Sequence, residues 1–567
     1  MIMNLLQKRV NLISECHKEF NQSKAFDIAI LSGFALFAVI YTLGRWKGLT
    51  PFIFLDSDAS YISTYAAALD SPQAFTHDYF LSTPGRASSY FEILIPIIRL
   101  LKKIVGGYGN AFIFLLPITI FLKLLGFYVL GKQLFHRKWV GLLLALASYP
   151  IVYSGAWDYW GIRNDALPRN LFEVFFPWLI LAIFNWINQP KRWFLLGGLF
   201  GLLMYVHSIS AGVTFLSASI IYLVCSKRQF LKRVGDVSFS GLIFLVVSLP
   251  FFYFSEVFQT SSATVPIPYT EALNILNEIY GETHFQTIRV FGKVLVQLTL
   301  SGIIPLAIMA FLFYLIVQKR NHCQQIKIVA VWVISIVFIS VFLPAMEKYV
   351  DQWLQLSTIQ MMLIRGLRYM PPLLLLFSFL VFFGNFSKLE NNSLVINNVL
   401  GSILIITTIG LMIHFNPQDK YFSDEIRCLS SGRLTCPTQQ ELDAVDIIQA
   451  LDTFTTSNDT ILSIPPLDVK FNTAIRFQAL RCLGYSDSDM TRLNRDPGLQ
   501  IQIARALDPW LALETIETKS NLQSYIALSK NVKVNFLIVS LDTFSSTELS
   551  AVEVIYKNQN YALIKIP

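Results

Sequence analysis

AFDIAILSGFALFAVIYTL, residues 25–43, decides the class of this chain. Apart from Asp27 it carries no charge, and it is long enough to cross a hydrocarbon core of about 30 Å as a helix. Lys8, Arg9, Lys18 and Lys24 precede it and no small-residue cleavage site follows. It therefore reads as an uncleaved first span behind a cytoplasmic N-terminus at 1–24.

The pattern recurs along the chain. Its 567 residues are 54% hydrophobic and only 14% charged, with a mean hydropathy of +0.52. A soluble protein of this length exposes far more charge. The net charge of +8 sits in short clusters between apolar runs; that is a topology signal, and no nucleic-acid partner is expected. About eleven spans are predicted, at 25 to 44, 109 to 131, 139 to 156, 171 to 188, 194 to 207, 209 to 226, 235 to 254, 290 to 317, 326 to 345, 369 to 386 and 394 to 415. Together they make a membrane domain over 25–415.

Alternate loops are short and basic: KQLFHRK (132–138), QPKRW (189–193), SKRQFLKR (226–233) and QKRNHCQQIK (318–327). The positive-inside rule then puts the N-terminus in the cytoplasm and, with an odd span count, the C-terminus outside. The expectation is a multi-pass protein of a bacterial inner membrane. YVHSISAG (205–212) joins two short spans and is the least certain crossing.

Beyond Phe415 the composition turns to a soluble type, and 416–567 reads as a small extracytoplasmic α/β domain. Thr438 and Glu441 have capping-box spacing ahead of the amphipathic LDAVDIIQAL (442–451). TILSI (460–464), VNFLIVSL (534–541), and VEVIY (552–556) with YALIKI (561–566) around KNQN read as strands. Of six cysteines, Cys428 and Cys436 bracket a short loop at the start of this domain, and an oxidising compartment would permit their disulfide. No Cys and His spacing suggests zinc.

The long outer loop 45–108 holds FLDSDASYIS (54–63), with Asp56 and Asp58 two residues apart. ASYISTYAAAL (59–69) reads as a short helix with Asp58 near its favourable N-terminus. YFEILIPIIRLLKKI (90–104) reads as an interfacial helix rather than a twelfth span, because Arg99, Lys102 and Lys103 suit the bilayer interior poorly.

This layout resembles the GT-C superfamily of polyprenyl-phosphate-sugar-dependent glycosyltransferases. ALDSPQAFTHDYF (68–80) looks like the second acidic element of the family's first outer loop, with Asp78 in the acidic position. LPRNLFEVFFPWLILAIF (167–184), GGLFGLLMYVHSISAG (197–212) and LQLSTIQMMLIRGLRYMPPLLLLF (354–377) resemble the arginine and histidine patterns of uncharacterised bacterial, notably cyanobacterial, relatives. Asp56 and Asp58 are separated by serine where several branches have adjacent acids. The resemblance implies a lipid-linked sugar donor and an acceptor at the extracytoplasmic face.

Such a reaction needs a carboxylate base for the acceptor hydroxyl and cations for the departing phosphate. Asp56, Asp58 and Asp78 are the candidate catalytic acids. Arg163, Arg169, Arg365 and Arg368 are the candidate phosphate ligands, since guanidinium matches phosphate in a two-pronged way. His207 and Asp165 are further candidate cavity residues. The Asp-x-Asp pair leaves a divalent metal open, with His77 and Glu92 as added ligands. Each has a structural alternative: helix capping for Asp56 and Asp58, a turn for Asp78, an ion-pair cluster for Arg163, Asp165 and Arg169, snorkelling for Arg365 and Arg368. A flippase for a lipid-linked precursor and a non-catalytic assembly protein are the competing functions; oligomeric state is not legible.

Overall fold

The computed structural model describes residues 24–46, 55, 57–82, 92–153, 159–162, 166–257, 287–316, 323–346, 353, 363–384, 391–415, 428, 430–433, 436–464, 469–484, 489 and 522–567. Asp56, Arg163 and Asp165 lie outside them.

Helices run through all of the predicted spans. They are α1 (Lys24–Trp46), the loop helices α2 (Ser57–Asp70) and α3 (Leu94–Val105), α4 (Tyr108–Phe135), α5 (Lys138–Ala147), α6 (Pro168–Trp186), α7 (Pro190–Leu203), α8 (Ser208–Cys225), α9 (Phe230–Val257), α10 (Thr287–Leu300), α11 (Ile303–Ile316), α12 (Cys323–Val337), α13 (Met370–Phe383) and α14 (Asn391–His414). Among the described residues six are long and apolar enough to cross a membrane, or seven if α10 and α11 form one broken span. The chain is thus a polytopic, mostly helical membrane protein.

Two predicted spans differ in shape. The segment 290 to 317, expected as one helix, is bent by 75° between α10 and α11, where Gly302 takes a φ of +77° that side-chain-bearing residues resist. The segment 139 to 156 is helical only to Ala147. Pro150 lacks an amide hydrogen and restricts its predecessor, and the chain forms a hairpin of β1 (Val152–Tyr153) and β2 (Tyr159–Trp160) instead. The loop helix α3, at 12 residues, is too short to be a twelfth span.

Two groups of charges inside the described helices are matched. Asp27 meets Lys138 at 2.7 Å and Lys132 at 3.1 Å and accepts from the Tyr128 hydroxyl. Lys123, halfway along α4, pairs with Glu173 of α6. The Lys123 ammonium also donates to the Gly161 carbonyl at 2.6 Å and lies 4.3 Å from the Trp160 ring centroid. It thereby pins the end of the β1–β2 hairpin just ahead of α6. Isolated, either charge would be costly in this setting.

The C-terminal unit contains α15 (Gln439–Phe454), β3 (Thr460–Ile464), α16 (Val469–Phe477), β4 (Cys482–Leu483), α17 (Leu522–Asn531), β5 (Phe536–Ser540), α18 (Ser546–Ser550), β6 (Val554–Lys557) and β7 (Tyr561–Lys565). The Thr438 and Glu441 capping box is formed at α15. The sheet order is β4-β3-β5-β7-β6, parallel at β4-β3-β5 and antiparallel beyond. Period-two alternation divides its strands between two cores. Ile461, Phe536, Ile538 and Leu563 join an apolar cluster with Tyr61, Ile62, Phe75 and Phe80 of the first loop. Leu462, Ile464, Leu537 and Val539 pack instead with Leu522, Tyr525 and Ile526. Cys428 is bonded to Cys436, with Cα atoms 5.9 Å apart.

Candidate functional site

Four separated stretches meet around His207. Asp58 stands in the first turn of α2. Arg169 stands in the first turn of α6, behind Pro168, a residue whose fixed φ suits that position. The two are joined by a hydrogen bond of 2.9 Å from Arg169 Nη2 to Asp58 Oδ2. An arginine at a helix N-terminus is locally unfavourable, because the helix dipole is already positive there. The Asp58 carboxylate offsets that charge.

His207 caps α8. Its Nδ1 accepts from the Ser210 amide at 3.2 Å and lies 2.8 Å from Ser210 Oγ, which in turn accepts from the Tyr369 hydroxyl at 2.6 Å. This chain of donors assigns the ring proton to Nε2. Burial pushes the imidazole well below its ordinary pKa of 6.5, and the charges of Arg368, Arg169 and Arg365 push the same way against Asp58. The ring is therefore neutral at physiological pH, held among three guanidinium groups and one carboxylate.

The histidine sets a pH dependence. The unfolded chain binds a proton near pH 6.5 that the native ring refuses, so stability is full above that value and falls as pH drops below it. The slope reaches about 1.4 kcal/mol per pH unit for one proton. His207→Gln is expected to remove that component, visible as a smaller loss of melting temperature between pH 6.5 and acid; an unchanged pH profile would contradict it.

Arg365 and Arg368 lie on a 3-10 turn, Leu363–Tyr369, that leads into α13. At three residues per turn, positions three apart eclipse, so both arginines project from one side more strictly than an α-helix would allow. Arg368 is fully buried and donates from Nε to the Arg365 carbonyl at 3.1 Å. The turn is set tightly. A Cβ on Gly366 would lie 2.4 Å from Ser340 Oγ and 2.6 Å from Val213 Cγ1, and the Tyr369 ring rests 4.7 Å from that of Phe176 on α6.

Asp78, the third candidate acid in the sequence, lies apart from this cluster. It is fully buried and accepts from Arg476 Nε at 2.8 Å and Nη2 at 3.0 Å, and from the amides of Phe80, Leu81 and Leu483 at 2.9–3.0 Å. Five donors exhaust what a carboxylate accepts, so no lone pair is left for a substrate. Arg476 also donates to both oxygens of Asp489 at 2.9 Å, and Asp489 accepts from Tyr61 at 2.5 Å and from Tyr79. Burial would lower the Arg476 pKa, but Asp489 and Asp78 more than offset this and hold it well above its ordinary value.

Asp56, Arg163 and Asp165 fall outside the described residues. His77 is exposed and Glu92 half-buried. Among the described residues no three His, Cys, Asp or Glu side chains gather to hold a metal ion. Sequence reasoning missed Arg476, Asp489, Ser210 and Tyr369. A charge on the apolar face of VKFNTAIRF (469–477) was the available sign for Arg476; the others left none.

No protein-family model matches the chain, and no curated protein does. Several solved structures resemble it at low identity, two of them as follows. One is ArnT from Cupriavidus metallidurans bound to undecaprenyl phosphate, at 12% identity over 96% of this chain and 99% of that one, with a TM-score of 0.46. The other is the archaeal oligosaccharyltransferase AglB from Archaeoglobus fulgidus, in complex with an inhibitory peptide and a dolichol-phosphate. It is 11% identical over 91% of this chain and 70% of that one, with a TM-score of 0.43. What the site can do is decided by its own residues.

Proposed function

We propose that the protein is a GT-C-like membrane glycosyltransferase that moves a sugar from a polyprenyl-phosphate donor to an acceptor at the extracytoplasmic face. The observation that carries this reading is the Asp58–Arg169 pair with His207, Arg365 and Arg368 around it. Guanidinium forks match phosphate oxygens, and the N-termini of α6 and α8 add positive potential to the same place. A donor phosphate that takes up the Arg169 fork frees an oxygen of Asp58 for the acceptor hydroxyl. The hydroxyl proton passes to Asp58, the acceptor oxygen bonds to the anomeric carbon, and the bond from that carbon to the phosphate oxygen breaks. The electron pair leaves with the polyprenyl phosphate, whose growing charge the arginines hold. Asp78 is assigned a structural role, and Asp56 remains a second candidate base beside Asp58.

The extracytoplasmic assignment rests on the basic loops, which put α2 and the C-terminal sheet on the face opposite them. A bacterial inner-membrane location is part of the same proposal. The flippase alternative draws on the Lys123–Glu173 pair, since ionisable groups inside a bundle often mark a transport path. Here the ammonium is engaged by Glu173, Gly161 and Trp160 together, which suits an anchor for the hairpin before Arg169.

A panel of polyprenyl-phosphate sugars offered to the purified protein tests the function. At least one donor should release polyprenyl phosphate faster than protein-free controls. No release from any donor, alongside accelerated lipid flipping in liposomes, would favour the transporter.

A further inference from the structure

The buried cluster of Tyr61, Tyr79, Asp78, Asp489 and Arg476 lies outside the Asp58 site, yet it ends on the helix that carries Asp58. We propose that the C-terminal domain is a positioning device for that site: Asp489, held by Arg476, fixes the rotation of α2 through Tyr61 and so aims Asp58 at Arg169. The inference rests on the role given to Asp58 above.

The buried face of helix α2 carries Tyr61, Ile62 and Tyr65 among smaller residues. Ala59, Ser60, Ser63, Thr64, Ala66 and Ala67 are all buried and small, and the Thr64 hydroxyl is turned back on the Ser60 carbonyl of its own helix at 3.0 Å. Small side chains pack closely but leave the rotational register of the helix to the larger ones, Tyr61, Ile62 and Tyr65. Tyr61 adds a directional bond to that packing: it lies three residues after Asp58, on the adjoining part of the same face, and its hydroxyl reaches Asp489 at 2.5 Å.

Asp489 in turn cannot shift easily. Both its oxygens accept from Arg476, whose remaining bonds go to Asp78. The Arg476 and Asp78 side chains are wholly buried, and so is Asp489. Breaking such a network would strand a charge away from water, so it tolerates few geometries.

The geometry makes the site sensitive. On a helix of about 5 Å outer radius, a rotation of about 10° carries a side-chain tip by about 1 Å. That is enough to open the 2.9 Å contact between Asp58 and Arg169, and a misplacement of about 1 Å can cost about a hundredfold in rate. Docking of the domain does not need the tyrosine hydroxyl, because the apolar cluster shared by the first loop and the sheet, and the Asp78–Arg476 bonds, hold the two together.

The test uses the full-length protein in detergent with Tyr61→Phe, which keeps the ring against Tyr65 and Phe80 and deletes only the donor, and with Asp489→Asn as the second variant. Hydrogen exchange should rise for the amides of 57–70 and stay at the parent level in β3, β5 and β7. With an undecaprenyl-phosphate-linked sugar that the parent protein uses, kcat should fall by about tenfold or more while the donor KM stays within about twofold, a split that a loss of folded protein does not give. Unchanged exchange in 57–70 for both variants would overturn the proposal. So would raised exchange with an unchanged kcat. Full activity of Asp58→Asn would instead overturn the role of Asp58, and the exchange measurement would still decide whether the domain orients the helix.

Discussion

Asp58→Asn is expected to fold and insert as the parent chain does and to lose transfer by about a hundredfold or more, the usual scale for a positioned base. Asparagine keeps the size, and its carbonyl oxygen still accepts from Arg169 Nη2, now 2.9 Å from the carboxylate. It also remains a tolerable residue at the start of a helix. What it cannot do is take a proton from the acceptor hydroxyl. Asp78→Asn makes the contrast, because its two oxygens serve Arg476 and three backbone amides. There the damage should appear first as a lower melting temperature. Rates of polyprenyl-phosphate release and melting curves on the same preparations separate the two. Parent-level transfer in both Asp58→Asn and Asp56→Asn would remove the loop carboxylates from the chemistry.

Arg169→Lys and Arg368→Lys should each weaken the donor's hold by about ten- to a hundredfold, read as a rise in donor KM or in the Kd for polyprenyl phosphate alone. Lysine preserves the charge but presents a point donor in place of a planar fork. A hydrogen bond to a charged group contributes about 1.5–3 kcal/mol, which sets that range. The two variants differ in what else they disturb. Arg169 is one-tenth exposed and paired with Asp58, so its replacement should act on substrate with little loss of fold. Arg368 is wholly buried and bonded to the Arg365 carbonyl, so its replacement should also lower the melting temperature. Donor affinity unchanged in both would show that the phosphate binds elsewhere.

The convergence of Asp58, Arg169, His207, Arg365 and Arg368 was foreshadowed by residue chemistry: each is a charged or titratable group at the end of an apolar run, where a polar side chain is costly unless it has a task. Asp78 shows the limit of that reasoning. In sequence it is one more acid in the same loop, with nothing to distinguish it from Asp58. In the fold its partner, Arg476, comes from nearly four hundred residues further on. The span count shows another limit. Hydropathy marks where apolar helices lie, yet α5 is shortened by a proline and α10 and α11 are broken at a glycine with positive φ.

By itself the sequence determined what depends on short-range periodicity and composition. That includes a polytopic helical chain, the capping box at Thr438, and the β6–β7 hairpin around KNQN. These follow from the length of a helix that crosses a bilayer, the reach of a side chain to its own helix, and the period of a strand. Tertiary structure alone decided which carboxylate faces Arg169 and which is consumed by Arg476, and that the C-terminal sheet shares a core with the first loop. Those outcomes depend on pairings between residues hundreds of positions apart. Burial makes each such pairing exacting, because a charge removed from water must find its partner in one geometry, and no local pattern records where that partner will come from.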